Sequence, residues 1–78
     1  MSFVQYKDKK FSVINNTLNL NDQQIDSISN IVGLDEITDL QNLYLRNNKI
    51  SKIEGLDHLT DLKQLDLGFN NINEITVI

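Results

Sequence analysis

The feature that most constrains this chain is that it repeats itself. From residue 40 it reads LQNLYLRNNKISKIEGLDHLTD, and from residue 62 it reads LKQLDLGFNNINEITVI. Leu40 aligns with Leu62, Leu43 with Leu65, Leu45 with Leu67, Asn48 with Asn70, Ile50 with Ile72 and Ile53 with Ile75, always at an offset of 22. Five of these six positions are apolar and the sixth is asparagine both times, so spacing carries the signal. A weaker copy lies upstream: Leu18, Leu20, Ile25 and Ile28 precede Leu43, Leu45, Ile50 and Ile53 by 25 residues. Gln23 holds its asparagine position and Asn15 its first leucine position. Gly33-Leu34 then matches Gly55-Leu56, and Ile37 and Leu40 match Leu59 and Leu62, at an offset of 22 again. The first unit therefore carries a three-residue insertion around residues 29–31.

A fixed period of this length is how a stack of small structural units is written in sequence, because no unit can bury its own apolar residues alone. Side chains alternate across a strand, so Leu43 and Leu45 point to one side and Tyr44 to the other. Stacking such strands in parallel sets Leu20, Leu45 and Leu67 side by side, with Leu18, Leu43 and Leu65 in the same core. Asn48 and Asn70 fall where the chain must turn away from the strand. Their amides both donate and accept, which suits a ladder that satisfies buried backbone groups at successive turns. Gln23 has the same chemistry on a longer arm, which predicts a looser first turn. Ile50 and Ile53, Ile72 and Ile75, and Leu56, Leu59 and Leu62 are each three apart, which predicts short helical or 3₁₀ turns on the return path. Gly33 and Gly55 precede such turns and suit a positive φ or a crowded backbone.

The pattern resembles the leucine-rich repeat, L-x-x-L-x-L-x-x-N-x-L, over about residues 15 to 78. The 22-residue spacing, the isoleucines after the asparagine and the following GLxxL are similar to the subclass found in the regulatory subunit of protein phosphatase 1. The resemblance implies an α/β fold: a short right-handed solenoid with parallel strands on its concave face and short helical or 3₁₀ turns on its convex face. It also implies protein recognition. The expected division is an N-terminal β-hairpin cap over residues 1–14, then units at 15–39, 40–61 and 62–78 within one domain.

The two ends differ. In FVQYKDKKFSVI, β-prone runs at Phe3–Tyr6 and at residues 11–14 flank the polar residues 7–10, which predicts a hairpin with a four-residue loop. Its expected task is to shield Leu18, Leu20 and Ile25 from water. At the other end, no polar capping unit follows residue 75. Leu65, Leu67, Ile72, Ile75, Val77 and Ile78 are expected to have neighbours on one side only, and the edge strand over residues 64–67 to leave backbone groups open. A second copy meeting the first about a two-fold axis would cover this end, so a homodimer through the C-terminal edge is expected.

Seventy-eight residues limit the chain to one domain, and 40% hydrophobic with 23% charged content fits a folded, soluble one. A net charge of −4 disfavours nucleic acid or an anionic membrane as the main partner. Cysteine is absent, which removes disulfides, thiolate zinc sites and cysteine nucleophiles. MSFVQYKDKK has no apolar h-region and no run approaches membrane-spanning length, so a cytoplasmic location is expected and the glycosylation-like Asn15-Asn16-Thr17 is read as chance.

The candidate binding residues are those expected to point outward from the strands: Asn19 and Asn21, Asn42, Tyr44 and Arg46, then Gln64 and Asp66, with Phe69 on the rim. Thr17 and Gly68 share that face. Tyr and Arg are enriched where binding energy concentrates. The only histidine, His58, occupies a position equivalent to Glu36 and is expected to be exposed, without a second group to make it a general base. Asp35-Glu36 and Asp57-His58 lie one unit apart with nothing to force convergence on a metal. No cofactor, metal or catalytic residue is assigned, and the chain is read as a non-enzyme. Two functions remain: a protein-interaction module using the concave face, or a self-associating building block with no separate partner.

Overall fold

The computed structural model describes residues 2–75. Strand β1 (Phe3–Tyr6) pairs antiparallel with β2 (Lys9–Ser12), with Phe3 opposite Ser12 and Tyr6 opposite Lys9. Lys7 and Asp8 alone form the turn, with Lys7 at a φ of 53°. The second strand thus starts two residues before the expected 11–14, and the loop is shorter than expected. The polarity of residues 7–10 marked exposure to water, not loop. Lysines on a hairpin keep their ammonium groups solvated while their stems cover apolar surface. Lys7 Nζ lies 5.6 Å from the Tyr6 ring centre and Lys10 Nζ 5.2 Å from that of Phe3.

A second tight turn follows. Ile14 and Thr17 exchange backbone hydrogen bonds of 3.0 and 2.9 Å around Asn15 and Asn16, whose φ values are 53° and 58°. Two left-handed residues in succession are what a two-residue hairpin loop of the primed type requires, and asparagine tolerates that region better than most residues. Asn15-Asn16-Thr17 is therefore the turn that feeds β3 (Thr17–Asn19).

Strand β3 opens a parallel sheet with β4 (Asn42–Tyr44) and β6 (Gln64–Asp66), in the order β3-β4-β6. Leu18, Leu43 and Leu65 are partners in register, as are Thr17, Asn42 and Gln64, and Asn19, Tyr44 and Asp66. The offsets of 25 and 22 read from the sequence are thus the register of the sheet. Pairing continues past the strands: Leu20 N–H donates to Tyr44 O and Leu45 N–H to Asp66 O, both at 2.8 Å. Leu18, Leu20, Leu40, Leu43 and Leu45 are fully buried, and each such side chain contributes about 1.5–3 kcal/mol.

The return paths differ between units. In the first, 3₁₀ turns form at Ile28–Asn30 and Leu34–Glu36. In the second and third, the expected helical turns around Ile50 to Ile53 and Ile72 to Ile75 are absent. Their place is taken by β5 (Lys52–Ile53) and β7 (Glu74–Ile75), which pair in parallel, Lys52 with Glu74 and Ile53 with Ile75. Apolar residues three apart do not distinguish a tight helical turn from an extended chain that keeps bending around a core. Here β-branched isoleucines and an unbroken 22-residue offset favour strands, supported by Asn71 N–H to Ile50 O at 3.0 Å and Asn73 N–H to Ser51 O at 2.9 Å. The first unit cannot join this pair, because its insertion coils the equivalent stretch into the turn at Ile28–Asn30.

The hairpin lies against the first return path. Gln5 and Val32 exchange backbone bonds of 2.9 and 2.8 Å, and Val4 and Tyr6 are buried. Tyr6 also donates its hydroxyl to Asp26 Oδ1 at 3.3 Å. Gly33, at a φ of 94°, sits under this contact: a Cβ there would lie 3.3 Å from Phe3 O.

Asn48 is the one buried polar residue among the described residues. Its Nδ2 donates to Leu20 O, Leu45 O and Arg46 O, and its Oδ1 accepts from the N–H groups of Gln23 and Ile25, both at 3.0 Å. Asn70 repeats the arrangement one unit later, donating to Leu45 O, Leu67 O and Gly68 O and accepting from Ile50 N–H at 3.0 Å. Each asparagine thus ties its own turn to that of the preceding unit. Gln23 does not take this role: its Nε2 donates to Asn21 O, two residues back.

Candidate functional site

The sheet turns its leucines inward and presents the alternate residues on its other face. Thr17, Asn42 and Gln64 form one row across the three strands, and Asn19, Tyr44 and Asp66 the next. Side chains in these rows bond to one another across units. Asn42 Nδ2 donates to Thr17 Oγ1 at 3.0 Å, and the Tyr44 hydroxyl to Gln64 Oε1 at 3.0 Å. Asn21 Oδ1 accepts from Arg46 N–H at 2.7 Å, and Asn19 Oδ1 from Asn21 N–H at 3.0 Å.

Arg46 is the centre of the site. Its guanidinium lies 3.3 Å from Asp66 Oδ1 and 3.4 Å from Oδ2, and 4.8 Å from the centre of the Phe69 ring. Exposed ion pairs of this kind contribute about 0–1 kcal/mol, and exposed cation–π contacts about 0.5–1 kcal/mol, so the group holds an arrangement more than it stabilises the fold. Gly68 makes room for it. A Cβ there would lie 2.6 Å from the Arg46 guanidinium and 3.1 Å from Asp66 Oδ1. The Gly68 N–H also donates to Asp66 Oδ1 at 2.9 Å, fixing the carboxylate.

Beside this cluster is an open hollow of about 430 Å³, lined by Asn21, Asp22, Arg46, Asn47 and Phe69. Asp22, Asn47 and Phe69 occupy the same position in successive units and share a left-handed backbone, with φ values of 61°, 59° and 54°. Asp22 N–H donates to Arg46 O at 3.0 Å and Asn47 N–H to Gly68 O at 2.8 Å, which stacks the three turns. The sequence reading omitted Asp22, Asn47 and the part played by Gly68. The repeat register marked Asp22 and Asn47 as sharing Phe69's position, but neither their left-handed backbone nor the part of Gly68.

Among the residues expected at the open end, Leu65 is 40% exposed, while Leu67 and Ile72 are half-buried. The backbone of Ile75 lies in β7, and Val77 and Ile78 fall outside the described residues. His58 is not fully exposed as expected. It is half-buried, with Nε2 2.9 Å from Leu34 O, which requires the proton on Nε2 to donate. Glu36, the equivalent residue in the first unit, is exposed and lines a hollow with Ser2, Phe3 and Gln5 of the hairpin, whereas His58 has the 3₁₀ turn at Leu34–Glu36 to reach. Among the described residues no group of three or more His, Asp or Glu side chains converges as a metal site, and no helix is long and apolar enough to cross a membrane.

The architecture defines a class: stacked units of strand, asparagine turn and return path around shared leucines. A family model described as leucine-rich repeats in two copies matches residues 38–78, more than half of the chain, and the protein belongs to that family. Parallel strands with short 3₁₀ turns fit its α/β fold. Domains of this family generally mediate protein–protein interaction and are typically non-catalytic. No curated protein and no solved structure matches the chain.

Proposed function

We propose that the protein is a non-catalytic interaction module that binds a protein partner across the outward, concave face of a short right-handed solenoid. In this reading the hairpin at residues 1–14 caps units at 15–39, 40–61 and 62–78, of the 22-residue subclass similar to the phosphatase regulatory subunit. Asn19, Asn21, Asn42, Tyr44, Arg46, Gln64, Asp66 and Phe69 form the contact surface, and Asn48 and Asn70 are structural. The observation that supports it is Phe69, an aromatic residue 73% exposed and held against the Arg46 guanidinium. Large apolar side chains set on a polar, hydrogen-bonded face are what an interface core needs. The test is affinity capture from the source lysate with the native protein and with a Tyr44→Ala, Arg46→Ala double variant. A partner retained by the first and lost by the second, with unchanged melting, supports the reading. Equal retention by both overturns it.

A second reading is homodimerisation through the C-terminal edge, supported by Leu65, which is exposed on the sheet-edge strand β6. Leu65, Leu67, Ile72, Ile75, Val77 and Ile78 would meet their own copies about a two-fold axis. Sedimentation at micromolar concentration is expected to show a dimer that Leu65→Asp dissociates. A native monomer would end this reading.

A further inference from the structure

The three stacked left-handed turns carry residues of very different suitability. Asp and Asn are among the side chains that visit this backbone region readily, whereas a bulky residue there is an outlier that needs an external reason. Phe69 is such a residue, at a φ of 54° and with 73% of its surface exposed. Burial does not hold it there. Asn47 in the preceding unit shows that a better-suited residue satisfies the same turn. Strain kept at an exposed aromatic points to a surface task.

The surroundings define that task. Arg46 covers one face of the ring and is neutralised by Asp66 at 3.3 Å. The remaining charge lining the hollow is Asp22, whose Oδ1 accepts from Asn47 Nδ2 at 2.6 Å. Arg46, Asp66 and Asp22 together leave one negative charge beside an open aromatic face, on a chain of net charge −4. A guanidinium or ammonium group on an aliphatic stem satisfies both features: the stem and cation lie on the ring while the charge faces a carboxylate. An acidic side chain would meet the Asp22 carboxylate, and the cation lining the hollow, Arg46, is already paired with Asp66. Resting on the reading of the outward face as a protein-binding surface, we propose that the hollow between Asp22 and Phe69 receives an arginine or lysine side chain of an extended, basic partner segment.

The test uses the intact protein labelled with ¹⁵N and capped Gly-Ser-Arg-Ser-Gly peptides in which arginine is replaced by lysine, citrulline or glutamate. The arginine and lysine peptides are expected to shift the Asp22, Asn47 and Phe69 amide signals saturably. The citrulline and glutamate peptides should bind about fivefold more weakly or not at all. Asp22→Asn and Phe69→Asn each install the residue that the second unit uses at this turn, so both variants should fold. Phe69→Asn should melt no lower than the native protein, and each variant should lose about fivefold in affinity for the arginine peptide. Equal binding of citrulline, unchanged affinity in Phe69→Asn, shifts confined to other surfaces, or no shifts at all overturn the proposal. Shifts at Asn42, Tyr44 and Gln64 with the citrulline or glutamate peptide would overturn the basic-segment proposal while leaving the outward face in use. Retention of a partner by the Tyr44→Ala, Arg46→Ala variant remains the separate result that removes the face itself.

Discussion

The seam between the first and second units and the seam between the second and third are built from the same parts but differ in dryness. At the first, Leu18 meets Leu43 and both are fully buried, and Asn48 is 6% exposed with two N–H groups bonded to its oxygen. At the second, Leu43 meets Leu65, which is 40% exposed, and Asn70 is half-buried with one such bond. The motif is the same; the neighbours are not. The first seam lies between the hairpin side and a following unit, while among the described residues β6 is an edge strand. A repeat residue therefore has no fixed energetic value, and its worth depends on how many units flank it.

That contrast can be broken by direct measurement. Leu18→Ala should cost about 3 kcal/mol, with a cavity left in the dry core, against about 1 kcal/mol for Leu65→Ala. Urea denaturation of the two variants checks this, and similar losses would show that the second seam is as dry as the first. Asn48→Ala leaves Leu20 O and the Gln23 and Ile25 N–H groups without their partner, for an expected loss of about 2–3 kcal/mol. Asn70→Ala, in wetter surroundings, should cost about 1 kcal/mol, because water replaces part of what is lost. Equal costs would mean that burial does not set the value of this side chain.

Hydrogen exchange sharpens the comparison without mutation. The amides of Leu20 and Asp22, bonded across the first seam, should exchange more slowly than those of Asn71 and Asn73, bonded across the second. The smallest effect is expected on the surface: a double-mutant cycle on Arg46 and Asp66 should give a coupling of about 0.5 kcal/mol that shrinks in high salt. A coupling above about 1 kcal/mol would move that pair from arranging the face to supporting the fold.

Register was legible in the sequence because it is written as an offset. Leu18, Leu43 and Leu65 are partners as the spacing requires. What the spacing could not convey was the path between registered points. Isoleucines three apart at 50 and 53 suit a helical turn as well as the extended path that forms, in which Ile50 is buried and Ile53 half-buried. The polar residues of the hairpin read as loop because composition reports solvent and not hydrogen bonding. At the candidate site, Tyr44, Arg46 and Asp66 were visible from strand alternation. The left-handed turn shared by Asp22, Asn47 and Phe69 was hidden, because phenylalanine does not advertise that backbone. Gly68 was hidden for a related reason: its use lies in what its missing side chain allows Arg46 to do. His58 misled through its position, since an equivalent place in the repeat is not an equivalent set of neighbours.

The hairpin bonded to Val32 gives the stack a polarity that matters to anyone lengthening it. Among the described residues, a designed 22-residue module set against β3 would have to evict Val4 and Tyr6 before finding a seat, whereas one set against β6 would meet an edge strand already in register. The two sides of the stack are thus unequal hosts: one is a foundation, the other a landing.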